Sequence, residues 1–171
     1  MKDSIQPIAT VTSTSGLDGD VRLRPLSRYF EDYIGDGRLM LGTTSSQSEL
    51  IQLELITGIG KKRRFKFQGV DTLNDAERIV GKTLFVEASP DDNINMISKN
   101  LIGYNVVTDK GDMVGQLKDV IWLPTNDAYV INSGSKAYLI PIIPEIIKHF
   151  DHELQLIVIV PMDGLVGLKQ I

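Results

Sequence analysis

Cysteine is absent from the 171 residues, and histidine occurs only twice, at His149 and His152. Without a thiol there is no disulfide frame, no thiolate metal site and no cysteine nucleophile. With both imidazoles in one short stretch, a nucleophile–base pair elsewhere in the chain has nothing to draw on. His149, Asp151, His152 and Glu153 do lie close in sequence, but neighbours in an extended segment point to opposite faces. We read them as a polar surface turn and expect no metal. Long apolar runs are also missing, since the stretch from Leu154 to Met162 falls far short of the roughly 20 residues a membrane-spanning helix needs. The N-terminus lacks a basic segment followed by an apolar core, which makes the cytosol the expected compartment.

Arginine is missing from the second half. Residues 1–88 hold 12 Lys or Arg against 12 Asp or Glu, whereas residues 89–171 hold 6 Lys, no Arg and 10 Asp or Glu, for a formal net charge of −4. A guanidinium presents a rigid fork of donors that suits phosphate better than the point charge of lysine. Any nucleic-acid contact therefore belongs to the first half, and the acidic second half favours a basic protein. At 42% hydrophobic, the chain is ordinary enough to be globular and long enough for one domain or two small ones. Two small β domains are the reading we prefer.

Taken in order, Ile5 to Val11 is a plausible first strand. The glycine-rich Ser13 to Asp20 that follows has neither the Gly-Lys-Ser/Thr ending nor the GxGxxG spacing of a nucleotide loop, so its glycines are read as a turn. In Asp20 to Pro25, Val21 and Leu23 alternate with Arg22 and Arg24, which puts both arginines on the solvent face. Tyr29, Phe30 and Tyr33 precede a strand at Arg38 to Leu41, and core packing is a more economical reading of these rings than base stacking. Glu49 to Thr57 reads as one strand carrying Leu50, Leu53 and Leu55.

The most informative stretch is Gly58 to Phe67, a hairpin with Lys61, Lys62, Arg63, Arg64 and Lys66, in which Arg64 and Lys66 alternate with Phe65 and Phe67. Five cations in six residues exceed what solubility requires. With Arg22 and Arg24 they form the candidate RNA-contact set. A helix follows, capped by Thr72 or Asn74, with Ala76, Ile79 and Val80 as its apolar face and Gly81 at its end.

Between Leu101 and Pro141 apolar runs alternate with turns at Thr108 to Asp112, Pro124 to Asp127 and Asn132 to Lys136, giving four short strands and suggesting a small antiparallel barrel. Pro141 to Asp151 reads as a short turn of helix and a bend before a strand at Leu154 to Val160.

In this second segment Leu101-Ile102-Gly103, Val106-Val107, Asp112-x-x-Gly115, Asp119-Val120, Asn126-Asp127, Leu139-Ile140-Pro141 and Asp151 resemble a PRC-barrel domain. Upstream, Gly16-Leu17-x-Gly19-x-Val21, Pro25 and the order Asp71-x-x-x-x-Ala76-Glu77-x-x-x-Gly81-x-x-Leu84 are similar to the bacterial ribosome maturation factor RimM family. Pro161 to Leu165 resembles that family's closing segment. The resemblance spans essentially the whole chain. It implies an all-β protein of two small β-barrels with few short helices: an N-terminal six-stranded, translation-factor-like barrel over residues 1–88, a short linker over 89–99 and a C-terminal PRC barrel over 100–171.

The same resemblance implies a monomeric, cytoplasmic, non-catalytic assembly factor without cofactor or membrane contact. Its expected partners are the immature 30S subunit, the 16S rRNA of the head and small-subunit ribosomal protein nineteen, the last bound by the C-terminal barrel. The family's tandem aromatic pair corresponds here to Met96-Ile97, which with Leu101 are the expected partner-binding residues. Asn100 replaces the family's Asp, Ser15 its histidine and Ala9 an early glycine. The alternatives are a PRC-barrel interaction module unrelated to ribosomes and a small RNA-processing hydrolase. The N-terminal match argues against the first, and the lack of a nucleophile–base pair against the second.

Overall fold

The computed structural model describes residues 4–35, 37–161 and the backbone of 169–170. The segment Met162 to Leu165, expected to match a family motif, lies outside them. The chain divides into two compact units, Met1–Asn95 and Met96–Ile171, each built on one sheet. No helix among the described residues is long and apolar enough to cross a membrane.

The first unit contains β1 (Ser4–Thr14), β2 (Val21–Pro25), α1 (Phe30–Ile34), β3 (Leu39–Gly42), β4 (Ser48–Ile51), β5 (Leu53–Thr57), β6 (Arg64–Phe67), α2 (Leu73–Ile79) and β7 (Thr83–Ala88). Its seven strands run in the order β4-β3-β7-β1-β2-β6-β5. β4 and β5 stand at opposite ends of that order yet are separated in sequence by Gln52 alone. The single strand expected over 49–57 is thus broken once. Its first half pairs with β3 and its second with β6, so the sheet closes on itself and six staves surround the core. The Gln52 carbonyl accepts from the Gln68 amide at 2.8 Å, carrying the β5–β6 ladder to the break.

Other staves bend where the sequence permits it. The β1–β7 register shifts between Pro7 and Ala9, a place where a residue without an N–H does little harm. Strand alternation fills the interior: on β6, Phe65 and Phe67 are buried while Arg64 is exposed. In contrast, Leu50 and Leu55 are 61% and 57% exposed, so the leucines that suggested this strand are not its inward face. α2 is capped as expected, the Thr72 hydroxyl accepting from the Asp75 amide at 3.1 Å. Val80, expected on its apolar face, lies beyond the last turn and is 40% exposed.

The second unit contains β8 (Asn105–Thr108), β9 (Met113–Ile121), β10 (Ala128–Ser133), β11 (Lys136–Pro141), β12 (Ile147–Asp151), β13 (Leu156–Ile159) and β14 (Lys169–Gln170), ordered β12-β13-β8-β9-β10-β11-β14. β8 to β11 form the expected antiparallel meander. β13 then returns parallel to β8. Val106, Leu117, Tyr129, Ile131, Ile140 and Ile157 are central to its core. The helical turn and bend expected through Asp151 give way after Ile146 to strand β12, which pairs with β13.

Residues 89–99, expected to link the units, are shared between them. On the first unit the Tyr33 phenol donates to Asp92 at 2.9 Å, the Asn95 amide donates to the carbonyls of Ser89 and Pro90, and the Asn95 side-chain oxygen accepts from Gln6 and Ser4. Burial and the bond to Asp92 push the Tyr33 phenol up to about 12. On the second unit the buried Tyr129 donates to the Met96 carbonyl at 2.7 Å. The Lys99 ammonium binds Asp119 and the Val120 carbonyl, fastening the turn Lys99–Leu101 to β9.

Gly19 is the tightest backbone contact of the β1–β2 connection. It has a φ of +95°, and a Cβ there would lie 2.1 Å from the Val70 carbonyl oxygen. Gly16 has φ +81° but open space around it. Gly16→Ala is expected to cost only the left-handed strain of about 1 kcal/mol. Gly19→Ala must also displace backbone, for a total of about 2 kcal/mol or more. Thermal melts of the two variants check this, and equal losses would refute the close approach.

Candidate nucleic-acid interface

The basic hairpin between β5 and β6 turns tightly because Gly58 takes φ +83° and a Cβ there would meet the Lys62 carbonyl at 2.6 Å. A single 3-10 turn, Gly60–Lys62, is held by the Lys62 amide on Ile59 and the Arg63 amide on Gly60. Beyond it β6 carries Arg64 and Lys66 outward, beside β2, whose Val21 pairs with Phe65. That register sets Arg22 next to Arg64 on the outer face of the barrel, since residues one step from an inward pair both point out. The Arg22 guanidinium donates through Nη1 to the Lys61 carbonyl at 3.2 Å, so strand and hairpin share one patch.

The seven expected RNA-contact residues separate into two groups. Arg63 is turned back onto the barrel: its guanidinium forms a bidentate pair with Glu31, at 3.2 Å and 2.5 Å. It also lies 5.7 Å and 5.5 Å from the ring centres of Phe30 and Phe65. The hydrogen bond from Arg63 holds the Glu31 carboxyl below its usual range, and the same bond raises the Arg63 guanidinium further. Lys66 is also committed, to Asp71 at 2.7 Å, to the Phe67 carbonyl at 3.3 Å and to the Val70 carbonyl. Its ammonium is raised by the bond to Asp71. Val70 is the residue whose carbonyl abuts Gly19, so Lys66 and Gly19 secure one loop from two sides.

Arg24, Lys61, Lys62 and Arg64 are exposed and Arg22 is half-buried. None of the five has an ion pair among the described residues. They are the cations left for an outside anion. Tyr29, Phe30 and Tyr33 are withdrawn from any stacking role: Phe30 is 2% exposed, and the tyrosines are half-buried.

Among the expected partner-binding residues, Leu101 is 4% exposed in the second core and Ile97 packs half-buried against that core. Met96 is half-buried, with its backbone fixed by Tyr129. Sequence reasoning passed over four exposed apolar side chains of the second unit: Ile102, Met113, Trp122 and Leu154, at 44%, 62%, 51% and 67%. The signal for Trp122 was its being the chain's one tryptophan, placed just beyond the end of β9.

Comparison with known proteins bears on the whole chain. Residues 7–91 match the RimM N-terminal domain and residues 98–165 the RimM PRC barrel domain. A protein of Thermosipho melanesiensis described as ribosome maturation factor RimM is 32% identical over 170 residues, covering 93% of this chain and 92% of its own. The chain belongs to the RimM family. Proteins of the same description from Thermoanaerobacter pseudethanolicus and Geobacillus kaustophilus are 30% and 29% identical, each over 92% of this chain and 96% and 94% of their own. A crystal structure from Pseudomonas aeruginosa, described as a 16S ribosomal RNA processing protein RimM, aligns over 94% of this chain and 99% of that one. Its TM-score is 0.44 and its identity 16%, too slight to bear on the fold. The two all-β units are the RimM N-terminal and PRC barrel domains in chain order.

Two outcomes follow for this member of the RimM family. Arg63→Ala removes a bidentate ion pair and two ring contacts, so it is expected to destabilise the first barrel by about 1–3 kcal/mol. Lys62→Ala, at an exposed position, is expected to stay within about 0.5 kcal/mol. Chemical denaturation distinguishes the two, and an equal effect would place Arg63 among the solvent-facing cations. The second concerns acid. The folded Glu31 has a depressed pKa, so its contribution is present above the ordinary value of 4.5 and is lost as pH falls through the folded value. Because Glu31 is 63% exposed, that contribution is about 1 kcal/mol or less. Glu31→Gln should narrow its stability deficit against the parent between neutral pH and about pH 3, read from melts across that range; a constant deficit would remove the carboxylate from the clamp.

Proposed function

We propose that this chain is a non-catalytic assembly factor of the cytoplasm that binds the immature 30S subunit as a single chain. It assists maturation of the head and processing of 16S rRNA. The first barrel contacts rRNA phosphates through Arg22, Arg24, Lys61, Lys62 and Arg64. The acidic second barrel engages small-subunit ribosomal protein nineteen. The observation that carries this reading is the exposed basic rim, whose cations have no counter-ions among the described residues while Arg63 and Lys66 beside them do. Full-length likeness to ribosome maturation factors supports the ribosomal target.

For the protein contact, Met96 is half-buried and is the member of the expected pair not packed on the second core, and Trp122 is the strongest addition. Tryptophan buries a large area at little conformational cost and is enriched among residues that dominate binding energy. A surface with 10 Asp or Glu against 6 Lys in residues 89–171 complements a basic ribosomal protein. Substituting Met96 and Ile97 together with Asp would not test this cleanly, because Ile97 packs against the core. Trp122→Ala leaves the core intact.

The decisive experiment is sedimentation of the tagged protein with small-subunit precursors and with mature subunits over a range of salt. Preferential retention on precursors is expected. The triple variant Lys61→Ala, Lys62→Ala, Arg64→Ala should flatten the logarithmic salt slope by roughly one unit for each phosphate no longer engaged. Trp122→Ala should weaken retention without changing that slope. Equal retention of parent and triple variant at every salt concentration would exclude the rim from the RNA surface, and RNA cleavage by the purified chain, abolished by a point substitution, would overturn the non-catalytic reading.

A further inference from the structure

We propose that the basic rim of the first barrel recognises the backbone of double-stranded RNA by charge and shape, rather than capturing single strands by stacking their bases. This rests on the RNA-binding reading above and specifies the form of RNA that the site takes.

The first ground is which side chains the rim lacks. Single strands are held largely by bases laid on exposed aromatic faces. Residues 1–95 contain Tyr29, Phe30, Tyr33, Phe65, Phe67 and Phe85 and no other aromatic or imidazole ring. The four phenylalanines are buried. Tyr33 is half-buried with its hydroxyl on Asp92, and Tyr29 is half-buried beside α1. The hairpin's exposed apolar side chain, Ile59 at 89%, has no π face.

A guanidinium plane can substitute for a ring, so the arginines matter too. Arg63, the one that lies against rings, is held on its inner side by Glu31, Phe30 and Phe65. Arg22 is steered by its bond to the Lys61 carbonyl. Neither is a loose plane onto which a splayed base could be laid, whereas Arg24 and Arg64 are exposed, so the distinction between strand and duplex rests on the missing rings and on spacing.

The second ground is the spacing of what is present. Arg22 and Arg24 share one face of β2, two residues and so about 7 Å apart along the strand. Arg64 stands on the adjacent strand, about 4.8 Å away across the sheet. Lys61 and Lys62 continue the array on the hairpin. The roots of these side chains are set on a closed barrel and a tight turn, and all of their heads are donors. Donors rooted at fixed spacing complement phosphates that are themselves held at fixed intervals, as in a helix, and gain less from a flexible strand that must be ordered on binding. Two carboxylates beside the rim, Glu31 and Asp71, are paired with Arg63 and Lys66. Phosphate contacts position without reading sequence, so the preference should be for helical form.

The test uses the full chain and fluorescently labelled RNAs of about 16 base pairs, the span of a shape-reading duplex binder. The probes are a blunt duplex, a duplex of shuffled sequence and each strand alone, at several salt concentrations. The expected result is a duplex bound at least about tenfold more tightly than either strand, with shuffling changing Kd by less than about twofold. Lys61→Ala, Lys62→Ala, Arg64→Ala should weaken both duplexes equally. A single strand bound as tightly as the duplex, with affinity reduced in that variant, would overturn the duplex preference and leave RNA binding by the rim intact, as would a tenfold penalty for shuffling. No affinity for any RNA probe, in a protein whose triple variant still loses the small-subunit precursor, would overturn both readings and assign the rim to a protein partner.

Discussion

A sheet of short strands exposes two unpaired edges, and the first unit removes them by giving one stretch of chain to both. Because Ser48–Ile51 pairs with β3 and Leu53–Thr57 with β6, the break at Gln52 turns an open sheet into a ring. Closure abolishes edges. It also fixes the neighbours of β6: β5 on one side and β2 on the other. The basic hairpin is the β5–β6 connection, and the direct pairing of β6 with β2 sets it beside the arginines of β2, where Arg22 bonds the Lys61 carbonyl.

Crowding cations on one rim has an electrostatic cost, and the barrel offsets it locally. Of the five charges in Lys61 to Lys66, two are neutralised from the inner side, Arg63 by Glu31 and Lys66 by Asp71. The choice of which two follows from the strand. Arg63 sits at the bend where the chain leaves the 3-10 turn, close to the Phe30–Phe65 contact at 6.0 Å, where a flat guanidinium can lie against the rings and still reach a carboxylate. Lys66 projects at the far end of the short strand, where the carbonyls of Phe67 and Val70 converge. The two structural cations bracket the hairpin at its base and stem and leave its tip and outer face to the solvent. Electrostatic pairing and presentation of the free charges are therefore the same arrangement.

The parts of this fold that sequence made legible are those whose cause is local. Turn residues between apolar runs delimited β8 to β11, and the Thr72 cap with Gly81 delimited α2, because turn and cap chemistry act over a few residues. The positions of the cations were equally plain. Their assignments were not, because Glu31 is 32 residues from Arg63 and nothing in the local pattern links them. Similarly, Leu50 and Leu55 suggested a single inward face when the strand is in fact shared by two ladders and both leucines face out. β12 escaped notice because Ile147-Lys148-His149-Phe150-Asp151 does not alternate. It stands at the end of its sheet with a register shift between Ile147 and His149, and an edge strand with a bulge has no continuous buried face to imprint on its sequence.

The stretch 89–101 shows why composition alone misreads a connection. Its Asp, Asn and Ser content resembles a solvated spacer, yet each of those residue types can bond backbone locally, and here they do. Asp92 accepts from the Ser89 amide, Asn95 bonds the carbonyls of Ser89 and Pro90, and the Ser98 hydroxyl accepts from the Asn100 amide. The apolar residues between them are absorbed: Ile94 is 1% exposed and Ile97 lies on the second core. Polar residues that make their own turns, with apolar residues that anchor those turns, produce ordered chain from a sequence that reads as a tether. The consequence for recognition is that, of the apolar side chains Ile94, Met96, Ile97 and Leu101, half-buried Met96 is the one not packed on the second core or fully buried. If Met96 touches a partner, it does so through a flexible thioether that adapts to an irregular surface. Directional bonding must then come from other side chains, and the indole N–H of the exposed Trp122 is suited to supply it.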